Sequence, residues 1–253
     1  MQTIVLIGEN IQHSLSPLIQ NKLINEHKLD YVYKLFEVNV NQLKEVTDQL
    51  RSKEFIGANV TSPYKIEIIK YLDSINIEAE SVGSVNTIVK ENGRLIGYNT
   101  DVYGFHKSID ENEYKNYDSV GIIGSGGAAR AVLKALSKYN CKKNIYVFSS
   151  DIVKAKKLKL IFKEFDFKIV SFDNHFATDL LINATPLGKY NFKELNITDT
   201  ELIKVKFLYD LNYFPDQTDI LIHASKLGCK IKNGLDMLYF QAYKSFQLWT
   251  EVV

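Results

Sequence analysis

The sequence predicts an α/β protein built from two domains, each with a largely parallel sheet. Short β-rich runs alternate with helical stretches along the 253 residues, which is the pattern of strand–helix–strand units. A glycine-rich turn lies between a β-run and a helix near the middle of the chain. A hydrophobic content of 45% at this length is enough for a core in each of two modest domains.

Three strand–helix pairs open the chain. TIVLIG precedes the segment after Pro17, YKLFEV precedes NQLKEVTDQLR, and FIGANVT precedes KIEIIKYL. Two further strand-like runs then flank Asn92-Gly93, a dipeptide that strongly favours a tight hairpin. We expect this hairpin to form the edge of the first sheet.

The alternation restarts near residue 102 and predicts a second, doubly wound domain over residues 102–233. Its elements are DSVGIIG, a helix from about Gly127, IYVF, a helix from about Asp151, DLLINA and FLYDL. The closing segment then has an apolar stripe at helical spacing. The stripe consists of Leu235, Leu238, Ala242, Phe246 and Trp249. Because the first domain has few helices to cover its sheet, we expect residues 234–253 to complete domain 1–101.

The composition argues against several classes of function. A net charge of +1 gives no overall field that would attract nucleic acid or an anionic membrane. No apolar stretch approaches the roughly 18 residues of a membrane span, and no basic leader opens the chain. We therefore expect a cytoplasmic protein, monomeric or homodimeric, whose partner is a small molecule.

Cysteine and histidine usage predicts no metal site and no disulfide. Cys141 and Cys229 are far apart, so both are interpreted as core thiols. The histidines show no ligand spacing, which makes zinc unexpected. They are His13, His27, His106, His175 and His223.

The glycine-rich turn has the sequence Gly124-Ser125-Gly126-Gly127-Ala128-Ala129 and matches G-x-G-x-x-A. In this fingerprint Gly124 permits the turn, Gly126 lets a pyrophosphate approach the backbone, and Ala129 lets the helix pack closely on the strand. The N–H groups at the helix start then face the phosphates. The motif predicts a Rossmann-like domain that binds a dinucleotide.

The end of the next strand bears on the choice of dinucleotide. An acidic residue there binds the ribose 2′-hydroxyl of NAD, whereas basic residues accept the 2′-phosphate of NADP. Ser149, Ser150 and Lys154 would receive a phosphate, but Asp151 would repel one or would only cap the following helix. At this point both cofactors remain open.

Polar clusters beside the four prolines predict a ligand site, since ligands bind beyond the carboxyl ends of the strands in open α/β sheets. The clusters are residues 14–17, 59–63, 183–186 and 213–215. Ser16 followed by Pro17 would also serve simply as a helix N-cap and first helical residue, a need that does not extend to Ser14.

A lysine and an aspartate are candidates for proton transfer. Strand periodicity places Asn59 and Thr61 on one side, and Lys65 follows in the first turn of a predicted helix, where the helix dipole disfavours a cation. Asp101 lies at the predicted domain boundary. A carboxylate and a lysine near one substrate hydroxyl would provide the proton transfer that carbonyl reduction needs.

Seven motifs together resemble the shikimate dehydrogenase family in order and spacing, over nearly the whole chain. They are S-L-S-P at 14–17, N-V-T-x-P-x-K at 59–65, V-N-T at 85–87, N-T-D at 99–101, G-S-G-G-A at 124–128, N-A-T-P-x-G at 183–188 and G-L-D-M-L-x-x-Q at 234–241. The resemblance implies NADP-dependent, reversible reduction of 3-dehydroshikimate to shikimate in the biosynthesis of chorismate and aromatic amino acids.

The resemblance also implies a role for each matching residue. Lys65 paired with Asp101 would transfer the proton. The substrate would contact Ser14, Ser16, Asn59, Thr61, Asn86, Tyr213 and Gln241. The cofactor would contact Gly124, Ser125, Gly126, Gly127, Ala128, Ser149, Ser150, Lys154, Leu211 and Gly234, with the last two on the nicotinamide side.

Two departures from the family pattern keep alternatives open. The usual N-R-T-x-x-R stretch for the 2′-phosphate is replaced by residues 149–154, which contain no arginine, and Val102 replaces the glycine of N-T-D-G. One alternative is an NAD-using quinate/shikimate dehydrogenase, and another is a non-catalytic regulator that binds a dinucleotide. The presence of both Lys65 and Asp101 argues against a regulator.

Overall fold

The computed structural model describes residues 1–139, 143–163, 165–174 and 177–252, without the side chains of residues 112 and 113. The chain divides into two compact units. The first is Met1–Gly104 with Leu238–Val253, and the second is Phe105–Met237. Both breaks fall a few residues later than the boundaries expected from the sequence, because each lies inside a continuous helix rather than in a loop.

The first unit is built on a mixed sheet of six strands. The strands are β1 (Gln2–Gly8), β2 (Tyr31–Glu37), β3 (Phe55–Val60), β4 (Ser74–Ile75), β5 (Thr87–Glu91) and β6 (Arg94–Tyr98), in the order β2-β1-β3-β5-β6-β4. β1 pairs in parallel with β2 and β3, and β4 pairs in parallel with β6. β5 is antiparallel to both β3 and β6. The carboxyl ends of β1 and β3 therefore lie side by side.

The predicted hairpin is confirmed, but its place at the sheet edge is wrong. Asn92 and Gly93 turn with φ of 51° and 79°, the left-handed region that such tight turns need. The short strand β4 pairs with β6 on its outer side. Two residues are too few to show a period-two pattern, so the sequence contained no signal for this strand.

Three α-helices lie wholly within the first unit, and two more contain the boundaries between the two units. They are α1 (Ser16–Glu26), α2 (Leu43–Gln49), α3 (Ile77–Val82), α4 (Asp101–Ser108) and α11 (Leu235–Thr250), with 3-10 turns at Val40–Gln42 and Glu67–Tyr71. One face of the sheet buries a core that includes Ile7, Val60 and Ile88. The other face buries Ile4 and Leu6 with side chains of α11.

The closing helix packs on the first sheet, as its apolar stripe predicts. Phe246 and Trp249 lie in the core with Ile4, and the indole Nε1 of Trp249 donates a hydrogen bond of 2.9 Å to the carbonyl of Ile88. A side chain at Gly57 would collide with the Trp249 ring, with 2.7 Å to its Cδ1. The glycine in β3 therefore makes room for the indole.

The second unit has a six-stranded sheet in which all pairings are parallel. Its strands are β7 (Ser119–Ile123), β8 (Asn144–Ser149), β9 (Lys168–Ser171), β10 (Leu180–Asn183), β11 (Phe207–Asp210) and β12 (Lys230–Lys232), in the order β12-β11-β10-β7-β8-β9. This is the doubly wound order, in which the chain reverses direction between β7 and β10. The strand order places the glycine-rich turn after β7 at that reversal.

Short helices connect these strands. They are α5 (Glu111–Lys115), α6 (Gly127–Ser137), α7 (Ile152–Lys156), α8 (Leu158–Ile161), α9 (Asp199–Leu202) and α10 (Asp219–Lys226). The outer strands β9 and β12 were not expected from the sequence. Both are short, and none of their residues is fully buried, so their hydrophobic pattern is weak.

The described residues contain one of the two cysteines and four of the five histidines. Cys229 is buried, and burial raises the pKa of its thiol to about 11, so it is protonated at neutral pH. Cys141 and His175 lie outside the described residues. Among the residues that are described, no group of three histidine, cysteine or acidic side chains could hold a metal ion. Within the same part of the chain, every helix is too short or too polar to cross a bilayer.

His106 gives the second unit a predicted dependence on pH. Its ring lies 5.0 Å from that of Tyr139, and in the described structure its buried Nδ1 has no hydrogen-bond partner. Burial, with Lys138 and Lys107 nearby, lowers the pKa of His106. The unfolded chain therefore binds more protons than the native state below about pH 6.5, and stability falls as the pH decreases through that range.

We expect His106→Phe, which retains an aromatic ring but cannot take a proton, to reduce this slope. The measurement is urea unfolding at several pH values between about 7 and 5. An identical slope in the variant and the wild type would show that His106 is not responsible.

Candidate active site

Lys65 and Asp101 form a largely buried ion pair in the first unit. Lys65 Nζ lies 2.6 Å from Asp101 Oδ2, and the two side chains are 18% and 5% exposed. Asp101 is the first residue of α4, and the carbonyl of Lys65 accepts a hydrogen bond of 2.7 Å from the N–H of Val85. The structure therefore brings together the two residues proposed for proton transfer, which are 36 positions apart.

The local argument that singled out Lys65 is wrong, although the residue is well placed. Lys65 lies in a turn between β3 and the 3-10 helix Glu67–Tyr71, and not in the first turn of an α-helix. No α-helix begins there whose dipole would oppose its charge. Its position depends instead on the turn and on the contact with Asp101.

Asn86 holds Asp101 from the opposite side. Its Oδ1 accepts a hydrogen bond of 2.7 Å from the N–H of Thr100. Because a backbone N–H can only donate, this bond fixes which end of the amide is the oxygen. The Nδ2 group then donates to Asp101 Oδ1 at 2.9 Å and to Gln241 Oε1 at 3.2 Å. One carboxylate oxygen of Asp101 therefore accepts from Asn86, and the other pairs with Lys65.

Asn59 is buried, and both ends of its amide are bonded within the protein. Tyr33 Oη donates to Asn59 Oδ1 at 2.7 Å. Asn59 Nδ2 donates to Thr87 Oγ1 and Ser245 Oγ, each at 3.1 Å, and to the carbonyl of Asn86 at 3.0 Å. The structure therefore places Asn59 beneath Asn86 as a support. Its direct contact with substrate stays a prediction.

Sequence reasoning missed four members of this network. Tyr33, Thr87, Thr100 and Ser245 link Asn59 and Asn86 through hydroxyl contacts of 2.7 to 3.3 Å. Ser245 was detectable in principle, because it lies four residues after Gln241 on a helix that is otherwise apolar on its packed face. Thr87 and Thr100 lie in the V-N-T and N-T-D motifs, from which only Asn86 and Asp101 were chosen, whereas Tyr33 had no local signal.

Hydroxyl groups without protein partners occur at the carboxyl ends of β1 and β3. The Ser16 side chain is buried at the start of α1, and its hydroxyl makes no hydrogen bond with any described residue. The Thr61 hydroxyl, just beyond β3, likewise makes no hydrogen bond with any described residue. Hydroxyl groups in such positions are suited to bind a polar ligand.

The interpretation of Ser16 as an N-cap is wrong. The N-cap position of α1 is Leu15, which makes no side-chain cap bond, and Pro17 lies inside the first turn. It is Ser14 that bonds the helix start, since its Oγ accepts from the N–H of Ser16 at 3.2 Å. The capping function expected of Ser16 is thus met in part by Ser14.

The glycine-rich turn of the second unit fits a pyrophosphate. Gly124 has φ of 112°, and a Cβ there would lie 2.9 Å from Thr185 Cγ2. A Cβ on Gly126 would meet no described atom within 4 Å, so the backbone is open to a ligand at this point. Gly126 is the N-cap of α6 and supplies no side-chain cap, while Ala129 is fully buried. The N–H groups at this helix start are therefore available to phosphates.

Asp151 caps the helix that follows β8. Its Oδ1 accepts a hydrogen bond of 2.8 Å from the N–H of Lys154, in the N-cap position of α7. Ser149 is buried and bonds the backbone of Asp151 and the hydroxyl of Ser125 at 3.2 Å. Ser150 and Lys154 are exposed. Of the two interpretations of Asp151, the structure shows the cap.

Residues 211 to 213 follow β11, near Gly234. A Cβ at Gly234 would collide with the carbonyl oxygen of Leu211, and the N–H of Gly234 donates to the carbonyl of Asn212 at 3.0 Å. Tyr213 is half-buried, and in the described structure its hydroxyl has no hydrogen-bond partner. Glycine is thus required at position 234 for the close approach of this loop.

Comparison with known proteins places these features in a family. Residues 6–88 match the family model described as the shikimate dehydrogenase substrate binding domain. A shikimate dehydrogenase (NADP(+)) from Methanococcus vannielii is 37% identical, over 97% of this chain and 90% of that protein. The chain belongs to the shikimate dehydrogenase family. The family inferred from the seven motifs is therefore confirmed.

Solved structures of the family share the fold. The shikimate dehydrogenase of Thermus thermophilus, crystallised with NADP(H) and shikimate, aligns with a TM-score of 0.85 at 28% identity and covers 100% of this chain and 95% of that chain. The enzyme of Listeria monocytogenes, crystallised with shikimate and NAD, aligns with a TM-score of 0.82 at 32% identity and covers 100% of this chain and 92% of that chain. The predicted α/β fold and the oxidoreductase class are confirmed, and the roles of single residues stay predictions.

Proposed function

We propose that this protein catalyses the NADP-dependent, reversible reduction of 3-dehydroshikimate to shikimate, in the biosynthesis of chorismate and aromatic amino acids. The observation that carries the proposal is the buried Lys65–Asp101 pair, in a unit whose Ser16 and Thr61 hydroxyls have no partner among the described residues. The first unit serves as the substrate domain, expected from the sequence over residues 1–101 with 234–253, and the second unit serves as the dinucleotide domain, expected over residues 102–233.

The substrate domain recognises a hydroxylated carboxylic acid. Ser14 and Ser16 bind the carboxylate near the start of α1, and Tyr213, in the loop after β11, is a further substrate residue. Asn59, Thr61, Asn86, Asp101 and Gln241 bind the ring hydroxyls. Neutral hydroxyl and amide groups suit such a ligand because they can donate to its carboxylate and exchange hydrogen bonds with its alcohols.

Lys65 handles the proton. When NADPH is bound, its nicotinamide supplies the hydride that reduces the substrate carbonyl. The Lys65 ammonium donates a proton to the carbonyl oxygen as that oxygen gains negative charge, and neutral Lys65 takes the proton back when shikimate is oxidised. Asp101 keeps the ammonium in place, and Asn86 keeps Asp101 oriented.

The cofactor is held by the turn at Gly124–Ala128 and by the segment after β8. Exposed Ser150 and Lys154 would contact the 2′-phosphate of NADP, with Ser149 beside them. Since the Asp151 carboxylate is engaged in the helix cap and no arginine lies in this segment, we expect a preference for NADP over NAD of about tenfold, roughly 1.4 kcal/mol. NAD use with quinate is the second candidate, favoured by the same missing arginines.

We also propose that the protein works in the cytoplasm as a monomer or homodimer, without nucleic-acid or membrane partners. The near-zero net charge of +1 supports the absence of nucleic-acid and membrane partners, because binding to nucleic acid or an anionic membrane is favoured by a positive field.

The test is a steady-state assay of the purified protein with shikimate and with quinate, each with NADP and with NAD. We expect the highest kcat/KM for shikimate with NADP. A preference for quinate with NAD would favour the second candidate, and absence of turnover with all four pairs would favour a regulator.

Lys65→Ala should lower kcat by a factor on the order of 10² to 10⁴, the range of acid–base assistance, with KM for shikimate changed only several-fold. The exposed Lys44, paired with Asp48 at 2.8 Å, provides the control variant Lys44→Ala, which should retain wild-type rates. Near wild-type kcat in the Lys65 variant at every pH would refute the role of Lys65.

Ser16→Ala should raise KM for shikimate by roughly tenfold or more, since a hydrogen bond to a charged group is lost, while kcat changes less. Stability should stay near wild type, because the Ser16 hydroxyl bonds no described residue. Thermal unfolding and steady-state kinetics measure the two effects. Lower stability with an unchanged KM would mean that the hydroxyl serves the fold instead.

Asp151 variants separate the cap from the charge. Asp151→Asn keeps a good N-cap and should leave stability nearly unchanged, whereas Asp151→Ala should cost about 1 kcal/mol of unfolding free energy. Both remove a negative charge near the expected 2′-phosphate, so both should raise the ratio of kcat/KM for NADP to that for NAD several-fold. An unchanged ratio in both variants would place the Asp151 charge too far from the cofactor to matter.

A further inference from the structure

A fully buried carboxylate lies at the carboxyl end of the second sheet, outside the set of residues assigned above. Asp210 ends β11 and is 0% exposed. Its Oδ2 accepts from Thr218 Oγ1 at 2.6 Å. Its Oδ1 accepts from Asn212 Nδ2 at 2.8 Å, and from the Asn212 N–H and Asn183 Nδ2, each at 3.1 Å. Within the described part of the chain no lysine or arginine pairs with it.

The burial of Asp210 has to be compensated by these four donors. Burial raises the pKa of Asp210, and the hydrogen bonds from Thr218, Asn212 and Asn183 oppose that rise. An unpaired acidic group at such a depth is costly unless its oxygens are satisfied, so the donors and the carboxylate depend on one another.

The same donors connect two loops. Asn183 ends β10, and its Oδ1 accepts from the N–H and the hydroxyl of Thr185, while its Nδ2 also donates to the carbonyl of Leu187 at 2.8 Å. Asn212 Nδ2 also donates to the carbonyl of Thr185 at 2.8 Å. The turn after β10 and the loop after β11 are therefore joined through Asn183, Asn212 and Asp210.

Asp210 bonds the loop after β11 at both of its ends. Asn212 lies just before Tyr213, and Thr218 lies where α10 begins. Between these two attachment points lies Tyr213, whose hydroxyl makes no bond with the described protein. Just before them, the Leu211 backbone packs against Gly234. The conformation of residues 211–217 thus depends on one carboxylate beneath them.

We infer that Asp210 is a positioning residue that sets the conformation of the loop after β11, which contains Leu211, assigned above to the nicotinamide side, and Tyr213, assigned above to the substrate. This inference rests on the function proposed above. Asp210 itself contacts neither the substrate nor the dinucleotide. It acts through Asn212 and Thr218. Misplacing the loop would disturb the reacting groups more than it disturbs the pyrophosphate of the cofactor, which the turn at Gly126 holds.

The role depends on hydrogen-bond acceptors more than on charge. An asparagine at position 210 can keep its oxygen toward the three N–H donors and turn its amide nitrogen toward Thr218, whose hydroxyl can accept as well as donate. Asp210→Asn should therefore preserve the loop, whereas Asp210→Ala removes every acceptor.

Asp179 provides a matched control at the opposite edge of the same sheet. Just before β10, its carboxylate accepts from the N–H groups of Asp118 and Ser119, from Ser119 Oγ, and from Lys206 Nζ, at 2.8 to 3.0 Å. Like Asp210 it connects loops through four donors, but at the amino ends of the strands, away from the ligand edge. Asp179→Ala therefore tests the effect of losing such a connection without moving the loop 211–217.

The experiment compares Asp210→Ala, Asp210→Asn and Asp179→Ala with wild type in shikimate oxidation with NADP, at a temperature where thermal scans show all of them folded. We expect Asp210→Ala to lose about 10²-fold in kcat/KM for shikimate, through a higher KM and a lower kcat, the scale of a displaced reacting group. Its Kd for NADP, measured by calorimetry, should stay within about fivefold of wild type, and Asp210→Asn should recover most of the activity.

Asp179→Ala should lose thermal stability but keep its kinetics. Equal kinetic losses in Asp179→Ala and Asp210→Ala would overturn the inference, as would unchanged kinetics in Asp210→Ala. If Asp210→Ala does not fold, Thr218→Val, which removes the donor to Oδ2, replaces it, and wild-type kinetics in that variant would equally overturn the inference. Absence of shikimate turnover by the wild type would instead overturn the proposed function, and this inference with it.

Discussion

The ion pair between Lys65 and Asp101 is the constraint around which the first unit is organised. Two charges held largely away from water lose hydration, and their mutual attraction compensates only when the remaining hydrogen-bonding capacity is also satisfied. Asn86 takes the second oxygen of Asp101, and the backbone N–H of Thr100 fixes the orientation of Asn86. The same need for satisfied hydrogen bonds accounts for the buried network beneath, in which Tyr33, Thr87, Thr100 and Ser245 link Asn59 and Asn86.

This requirement explains why a helix from the far end of the chain belongs to the first unit. The closing helix covers the apolar face of the sheet with Phe246 and Trp249, and it also brings Gln241 and Ser245 to the polar network. The hydrophobic contacts supply the stability of the association, while the polar contacts set its register. A helix with only an apolar stripe would cover the sheet but would leave Asn59 and Asn86 with fewer partners.

The second unit also contains a buried polar group whose hydrogen bonds are satisfied by neighbouring residues, but it is a single carboxylate and not an ion pair. The open space of this unit is at Gly126, where a missing side chain leaves backbone N–H groups accessible. Asp210 joins the neighbouring loops through its hydrogen bonds. In the first unit Thr61 and Lys65 follow β3, and in the second unit Gly126 follows β7 and Asn212 follows β11, each a strand with a parallel partner. That edge of a sheet leaves N–H groups and loop side chains pointing beyond the strand ends, where a ligand can reach them.

The sequence by itself determined the alternation of strands and helices, the Asn92-Gly93 hairpin, the glycine turn and the identity of Lys65 and Asp101 as a candidate pair. Each of these depends on local backbone preferences or on short motifs, which neighbouring residues encode directly. Tertiary structure alone decided that Ser16 is not an N-cap, that Asp151 is one, that Lys65 lies outside any α-helix, and that Asp210 joins two loops. The short strands β4, β9 and β12 belong to this second group. Their formation depends on partners distant in sequence, and the energy of a buried hydrogen bond depends on which donor the fold brings within about 3 Å, which no local pattern records.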